Sequence, residues 1–109
     1  MERVRPIEIN DSSSGNTYII EFDRATIMYA ERQKFSIADI EKYPLTVVSD
    51  LFFYGFRKHH PNVTKQQANE ILDGLGGVVG LPDGFIERLA ALYMIPYESV
   101  KNSSLTVNF

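Results

Sequence analysis

The side chains best suited to chemistry in this chain are few. His59 and His60 are its only histidines. Adjacent residues on a helix point about 100° apart, so these two do not close on one metal as an i, i+4 pair would. The chain has no cysteine, which removes thiolate ligands, disulfides and thiol nucleophiles. With Arg57 and Lys58 beside them, the histidines suit the C-terminal end of a helix, where the macrodipole favours positive charge. The acid pairs Asp39/Glu41 and Glu70/Asp73 fall on polar helical faces. Acid–base work needs two carboxyls in a cleft with environments that separate their pKa values. Ser12–Ser14 lie in a loop with no histidine nearby to activate a hydroxyl. No catalytic residue, metal or cofactor is expected.

Gly74-Leu-Gly-Gly-Val-Val-Gly80 has the look of a phosphate loop. A dinucleotide loop needs glycines at its first, third and sixth positions, after a strand and before a helix. Here the sixth position is Val79, and a helix precedes. The Gly-Lys-Ser/Thr of a P-loop is missing too. Gly74, Gly76, Gly77 and Gly80 therefore read as a helix-ending hinge. Val78, Val79 and Leu81 imply that this elbow is partly buried.

The elements that would carry these residues follow from pattern. Val4, Ile7 and Ile9 precede a polar run, residues 10–16, and Tyr18, Ile20 and Phe22 then alternate with Thr17, Ile19 and Glu21. Two β-prone runs around a Ser/Gly/Asn loop predict a hairpin over 1–22, its register left open by the loop. An isolated hairpin is marginal in water, so it should lie on the helices or pair with another chain. Asp23 caps a helix over 24–34 with Ala25, Met28 and Tyr29 on one side. Ser36 and Asp39 open a short helix ending near Tyr43, and Pro44 leads a longer one, Leu45–His59. Thr64 and Gln67 form a capping box for Lys65–Leu75. Pro82-Asp83 opens a last helix to Ile95, with Phe85, Leu89, Leu92 and Tyr93 inward, and Pro96 closes it. The expected fold is mainly α: a small helical domain of four to five helices over 23–97, an N-terminal β-hairpin, and a mobile tail over 98–109 in which Leu105, Val107 and Phe109 alternate like a strand.

Composition narrows the function classes. With 109 residues the chain suits one domain, and its seven Phe and six Tyr supply a core. A net charge of −3 argues against non-specific binding to nucleic acid, which needs surplus Lys and Arg. The first residues lack a signal peptide's apolar core, and no run approaches the roughly 20 apolar residues of a membrane span. A soluble intracellular protein is the expectation.

The segment Leu45–His59 is apolar over most of its circumference. Leu45, Val48, Phe52, Gly55, Phe56 and His59 share one face, and Val47, Leu51 and Tyr54 another. Such a helix is either central to the core or covered by a partner. Phe53 sits on the polar stripe with Asp50 and Arg57, where an aromatic ring reads as an interface anchor. The expected partner-binding set is Phe53, Tyr54, Leu51, Val47 and Arg57.

These residues resemble the tail assembly chaperones of long-tailed bacteriophages. The resemblance is carried by Phe22-Asp-Arg-Ala25 with Glu31, by Leu51-Phe-Phe-Tyr-Gly-Phe56, and by His60-Pro-Asn-Val-Thr64. It continues through Lys65-Gln-Gln-Ala68 with Ile71-Leu72 and a closing apolar helix near Tyr93, so that it spans about residues 20–95. It implies binding of the tape measure protein, keeping that long helical molecule soluble, and recruitment of tail tube protein in the cytoplasm of the bacterial host. It implies no nucleic acid, no membrane and no enzyme activity, and it suits a homo-oligomer that shields an apolar groove. A second reading is a small helix-turn-helix DNA-binding regulator, with residues 88–100 or Thr64–Ala68 supplying the motif. No tight turn follows Ala68, and no helix is rich in the Arg, Lys, Asn or Gln that read bases.

Overall fold

The computed structural model describes residues 4–98 and 104–109. It is mainly helical, with an N-terminal hairpin of β1 (Ile7–Asp11) and β2 (Asn16–Ile20). Five helices follow: α1 (Arg24–Arg32), α2 (Pro44–Phe56), α3 (Lys65–Gly74), the single turn α4 (Gly77–Gly80) and α5 (Phe85–Met94). Short 3-10 turns occupy Ile37–Asp39 and Ile95–Tyr97.

The hairpin loop does set the register, contrary to expectation. The Asp11 carboxylate accepts from the Ser13 amide at 3.0 Å and from its hydroxyl at 2.7 Å, while the Gly15 amide returns to the Asp11 carbonyl at 2.8 Å. These bonds close a four-residue loop and place Asp11 opposite Asn16 and Ile7 opposite Ile20. Ile7, Ile9, Ile20 and Phe22 belong to the same core as the helices. The hairpin is thus one layer of the domain, packed on α2.

Asp23 caps α1 as expected. Its carboxylate accepts from the Thr26 amide at 2.8 Å, and Thr26 Oγ1 accepts from the Asp23 amide at 2.8 Å. The inward face differs from the reading above: Thr26, Ile27 and Ala30 are buried, Tyr29 is half-buried, and Ala25 and Met28 face out. The helix also stops earlier, at Arg32, because Lys34 adopts a left-handed φ of 66° that turns the chain back. The predicted helix after Ser36 shrinks to the 3-10 turn.

α2 is the central element. Pro44 occupies its first turn, where a missing amide proton costs nothing, and the helix ends at Phe56 rather than His59. Leu51, Phe52 and Phe56 are fully enclosed, and the Phe52 and Phe56 rings meet edge-on at 4.9 Å. Gly55 is where β2 comes closest. A Cβ there would collide with the Ile20 Cγ2 methyl and press on the Phe22 ring, and the Glu21 amide donates to the Gly55 carbonyl at 3.1 Å. The β2 strand uses the space that the missing side chain leaves.

α3 opens on the expected capping box, Thr64 with Gln67, and contributes Ala68 and Leu72 to the core. The glycine elbow is an ordered left-handed turn. Gly76 has φ 113°, and a Cβ on it would overlap the Gly80 carbonyl, so only glycine fits. Val78 packs on the core while Val79 is fully exposed. α5 starts at Phe85, two residues later than expected, and buries Leu89, Leu92 and Tyr93. The tail expected over 98–109 falls partly on residues 99–103, outside the described residues. Leu105, Val107 and Phe109 are exposed and form no strand.

Candidate partner-binding face

The anticipated binding residues divide sharply by burial. Val47, Leu51 and Tyr54 lie inside the core, with Leu51 at 0% exposure. They are packing residues, not a free surface, and that part of the expectation is corrected. α3 and α5 pack on α2, and further neighbours cover the face in question. The hairpin lies over Gly55, Tyr29 and Phe35 of the α1 region meet Tyr54 edge-on at 6.1 and 5.3 Å, and the turn through Pro61 and Val63 closes the remaining side. Phe53 is half-buried, its ring tilted against Tyr54 at 5.4 Å. Arg57 is exposed, yet its guanidinium lies 3.6 Å from the centre of the Tyr29 ring, a cation–π contact within the chain. The dimple between Phe53, Arg57, Pro61 and Val63 holds about 10 Å³, too little for a partner's side chain.

Uncovered apolar side chains remain at Tyr43 and Leu45, where α2 begins, and a larger group lies where α1 meets the end of α5. Met28 is 44% exposed, Met94 40%, Ile95 39% and Tyr97 53%. At this point α5 tightens into the 3-10 turn Ile95–Tyr97, with Pro96 in its first positions. Tyr97 anchors the corner: its hydroxyl donates to Glu31 Oε2 at 3.2 Å, and its ring lies 6.0 Å from that of Tyr93. Burial first, then the hydrogen bond with Tyr97, pushes the Tyr93 hydroxyl far above its ordinary pKa, so it stays neutral.

Three grooves border this corner. One of about 300 Å³ runs between Ile27, Met28 and Tyr97, with Arg24 and Glu31 on its rim. A second, of about 220 Å³, runs between Phe35, Ile37, Tyr93 and Met94. The largest, about 1060 Å³, lies between the hairpin root and α5, over Val4, Phe22, Leu92 and Ile95 with Arg5 and Arg88 at its edges. Met94, Ile95 and Tyr97 were missed as a site because a short apolar stretch around a proline reads as a helix end. Residue type alone offers one clue, the methionines themselves: unbranched, polarizable side chains adapt to varied apolar partners.

The histidines do not serve as simple helix-end charges. His59 Nε2 lies 2.7 Å from Glu21 Oε1, and Lys58 Nζ reaches the same oxygen at 3.0 Å. The His59 hydrogen bond, with Lys58 behind it, holds the Glu21 carboxyl below its usual range. His60 Nε2 accepts the Ile19 amide at 2.9 Å. Both therefore tie the hairpin to the end of α2. Lys65 and Asp50 form a further ion pair at 2.9 Å between α3 and α2.

Among the described residues no three His, Asp or Glu side chains gather as a metal site, and no helix is long and apolar enough to cross a membrane. A family model described as a domain of unknown function, DUF5055, matches residues 1–109. The chain belongs to that family. No curated protein and no solved structure gives a significant match.

Proposed function

We propose that this member of the DUF5055 family is a non-catalytic tail assembly chaperone of a long-tailed bacteriophage, binding the tape measure protein, and with it tail tube subunits, in the host cytoplasm. The reading rests on the sequence resemblance through residues 20–95 together with one structural observation. Met28, Met94, Ile95 and Tyr97 form an uncovered apolar corner bordered by three grooves.

A tape measure protein offers long helices with apolar stripes, and an amphipathic helix laid in a groove is the matching mode of recognition. The methionines would mould to successive segments of such a helix, and Tyr97 would supply a rigid ring with a polar tip. Arg24 and Glu31 on the rim would meet the helix's polar flank. A small apolar face also has to offset the entropy lost on association, which favours a reversible grip rather than a permanent one. That suits a chaperone that must release its client. Without a client, two copies covering each other's corner would account for a homo-oligomer.

Co-expression with the tape measure protein tests the proposal. The intact chain should keep the client soluble, and Met28→Glu with Met94→Glu should not. A salt-dependent shift of duplex DNA, with no effect on client solubility, would instead favour the helix-turn-helix reading.

A further inference from the structure

The outer edge of β2 is held by one side chain and one carbonyl. Ile19 donates its amide proton to His60 Nε2 at 2.9 Å, and two residues on, Glu21 donates to the Gly55 carbonyl at 3.1 Å. An imidazole nitrogen accepts only through a free lone pair, so His60 is neutral here and carries its proton on Nδ1. Its half-buried ring packs edge-on against Tyr18 at 5.3 Å and Phe56 at 6.3 Å. Neighbouring His59 is wired in the opposite sense, with Nε2 against a carboxylate at 2.7 Å. Adding a proton leaves His59 with its partner and takes from His60 the lone pair that holds Ile19.

The geometry points to a proton-sensitive clasp: protonation of His60 releases the Ile19 amide and loosens the β2 edge from the end of α2 while the helices stay folded. Two donors then face each other in a partly enclosed site, where an unmet donor is costly. The charged groups around His60 are His59 and Lys58 from its own turn and Glu21 from the end of the strand. Lys58, and His59 whenever it carries a proton, oppose a further positive charge, and the single Glu21 oxygen is already shared between them. Burial first, then His59, holds His60 below the ordinary imidazole range. The clasp is therefore closed at neutral pH and opens as pH falls through that lowered value. Opening exposes the amides of Ile19 and Glu21 as a strand edge available for pairing.

Nuclear magnetic resonance on the intact chain, titrated from about pH 7.5 to about pH 5, tests this across the histidine range. At neutral pH the His60 ring nitrogens should show the proton on Nδ1. On acidification the protection of the Ile19 and Glu21 amides, measured relative to Leu51, should fall several-fold as the edge opens locally. His60→Gln, whose side-chain oxygen accepts without titrating, should hold Ile19 protection flat, and His59→Gln should keep the fall. A proton found on Nε2, unchanged Ile19 protection, an equal fall in His60→Gln, or Leu51 losing protection in step would each overturn the clasp. If His60→Gln does not fold, the tautomer and the Ile19-to-Leu51 comparison in the unaltered chain decide the matter.

Discussion

The Cγ2 methyl of Ile20 fills the space that a β-carbon on Gly55 would occupy. Strand and helix meet there without a side chain between them, and the Glu21 amide bonds to the Gly55 carbonyl beside the contact. Gly55→Ala adds helix propensity of about 0.5–1 kcal/mol but overpacks a closed contact at about 1–3 kcal/mol. Net destabilisation of about 1 kcal/mol is expected in urea unfolding. A more stable variant would show that the hairpin sits loosely.

Phe53 now belongs to the fold. It is half-buried against Tyr54 and the core. Truncating a fully buried Phe costs about 3–5 kcal/mol, so Phe53→Ala should lose roughly half of that. Client binding should be unchanged once the variant is folded. Weakened binding at full stability would restore Phe53 as an anchor.

Met28 and Met94 carry the opposite expectation. Both are exposed at the corner of α1 and α5, so Met28→Glu and Met94→Glu should change stability by no more than about 0.5 kcal/mol. Capture of the client by the purified variants should fall sharply. Retained capture would move the binding face elsewhere.

The elbow from Gly74 to Gly80 is ordered, yet it contains only one helical turn and leaves Val79 in solvent. Hydrogen exchange should be faster at Gly77–Gly80 than at Leu51–Phe56, as local opening needs less surface to be exposed. Equal protection would make the elbow a rigid corner and not a hinge.

Stability should decline on acidification in two stages. His60 titrates lower in the folded chain than its ordinary value of 6.5, so the unfolded chain binds protons first. Its contribution is complete above that value and is lost as pH falls through the folded one. Glu21 is likewise lowered from 4.5, mainly by its His59 bond, and its contribution disappears at more acid pH. Melting temperature followed against pH should show both stages, and His60→Gln should lack the upper one. A melting temperature independent of pH between neutrality and the carboxylate range would contradict the assignment.

What the sequence disclosed was local. Asp23 and Thr64 announce their helices because a cap bonds amides two or three residues away, and Pro44 and Pro96 act through their own backbone. The hairpin was visible in its alternation. Orientation and coverage are set by distant parts of the chain. α1 turns Thr26, Ile27 and Ala30 inward because of what it packs against, which periodicity alone does not specify. α2 looked too apolar for its own fold because Tyr29, Pro61, Val63 and the hairpin converge on it from distant parts of the chain. The Tyr97–Glu31 contact joins residues 66 positions apart, beyond the reach of any local pattern.

The bond from Ile19 to His60 spans 41 residues, which orders events during synthesis. The hairpin leaves the ribosome before α2, and its berth on that helix does not exist until the helix has followed. Closing so long a loop carries an entropic cost that the contacts within each helix do not bear. The hairpin, though made before α2, therefore settles late, waiting as a marginal pair of strands until Gly55 and His60 arrive.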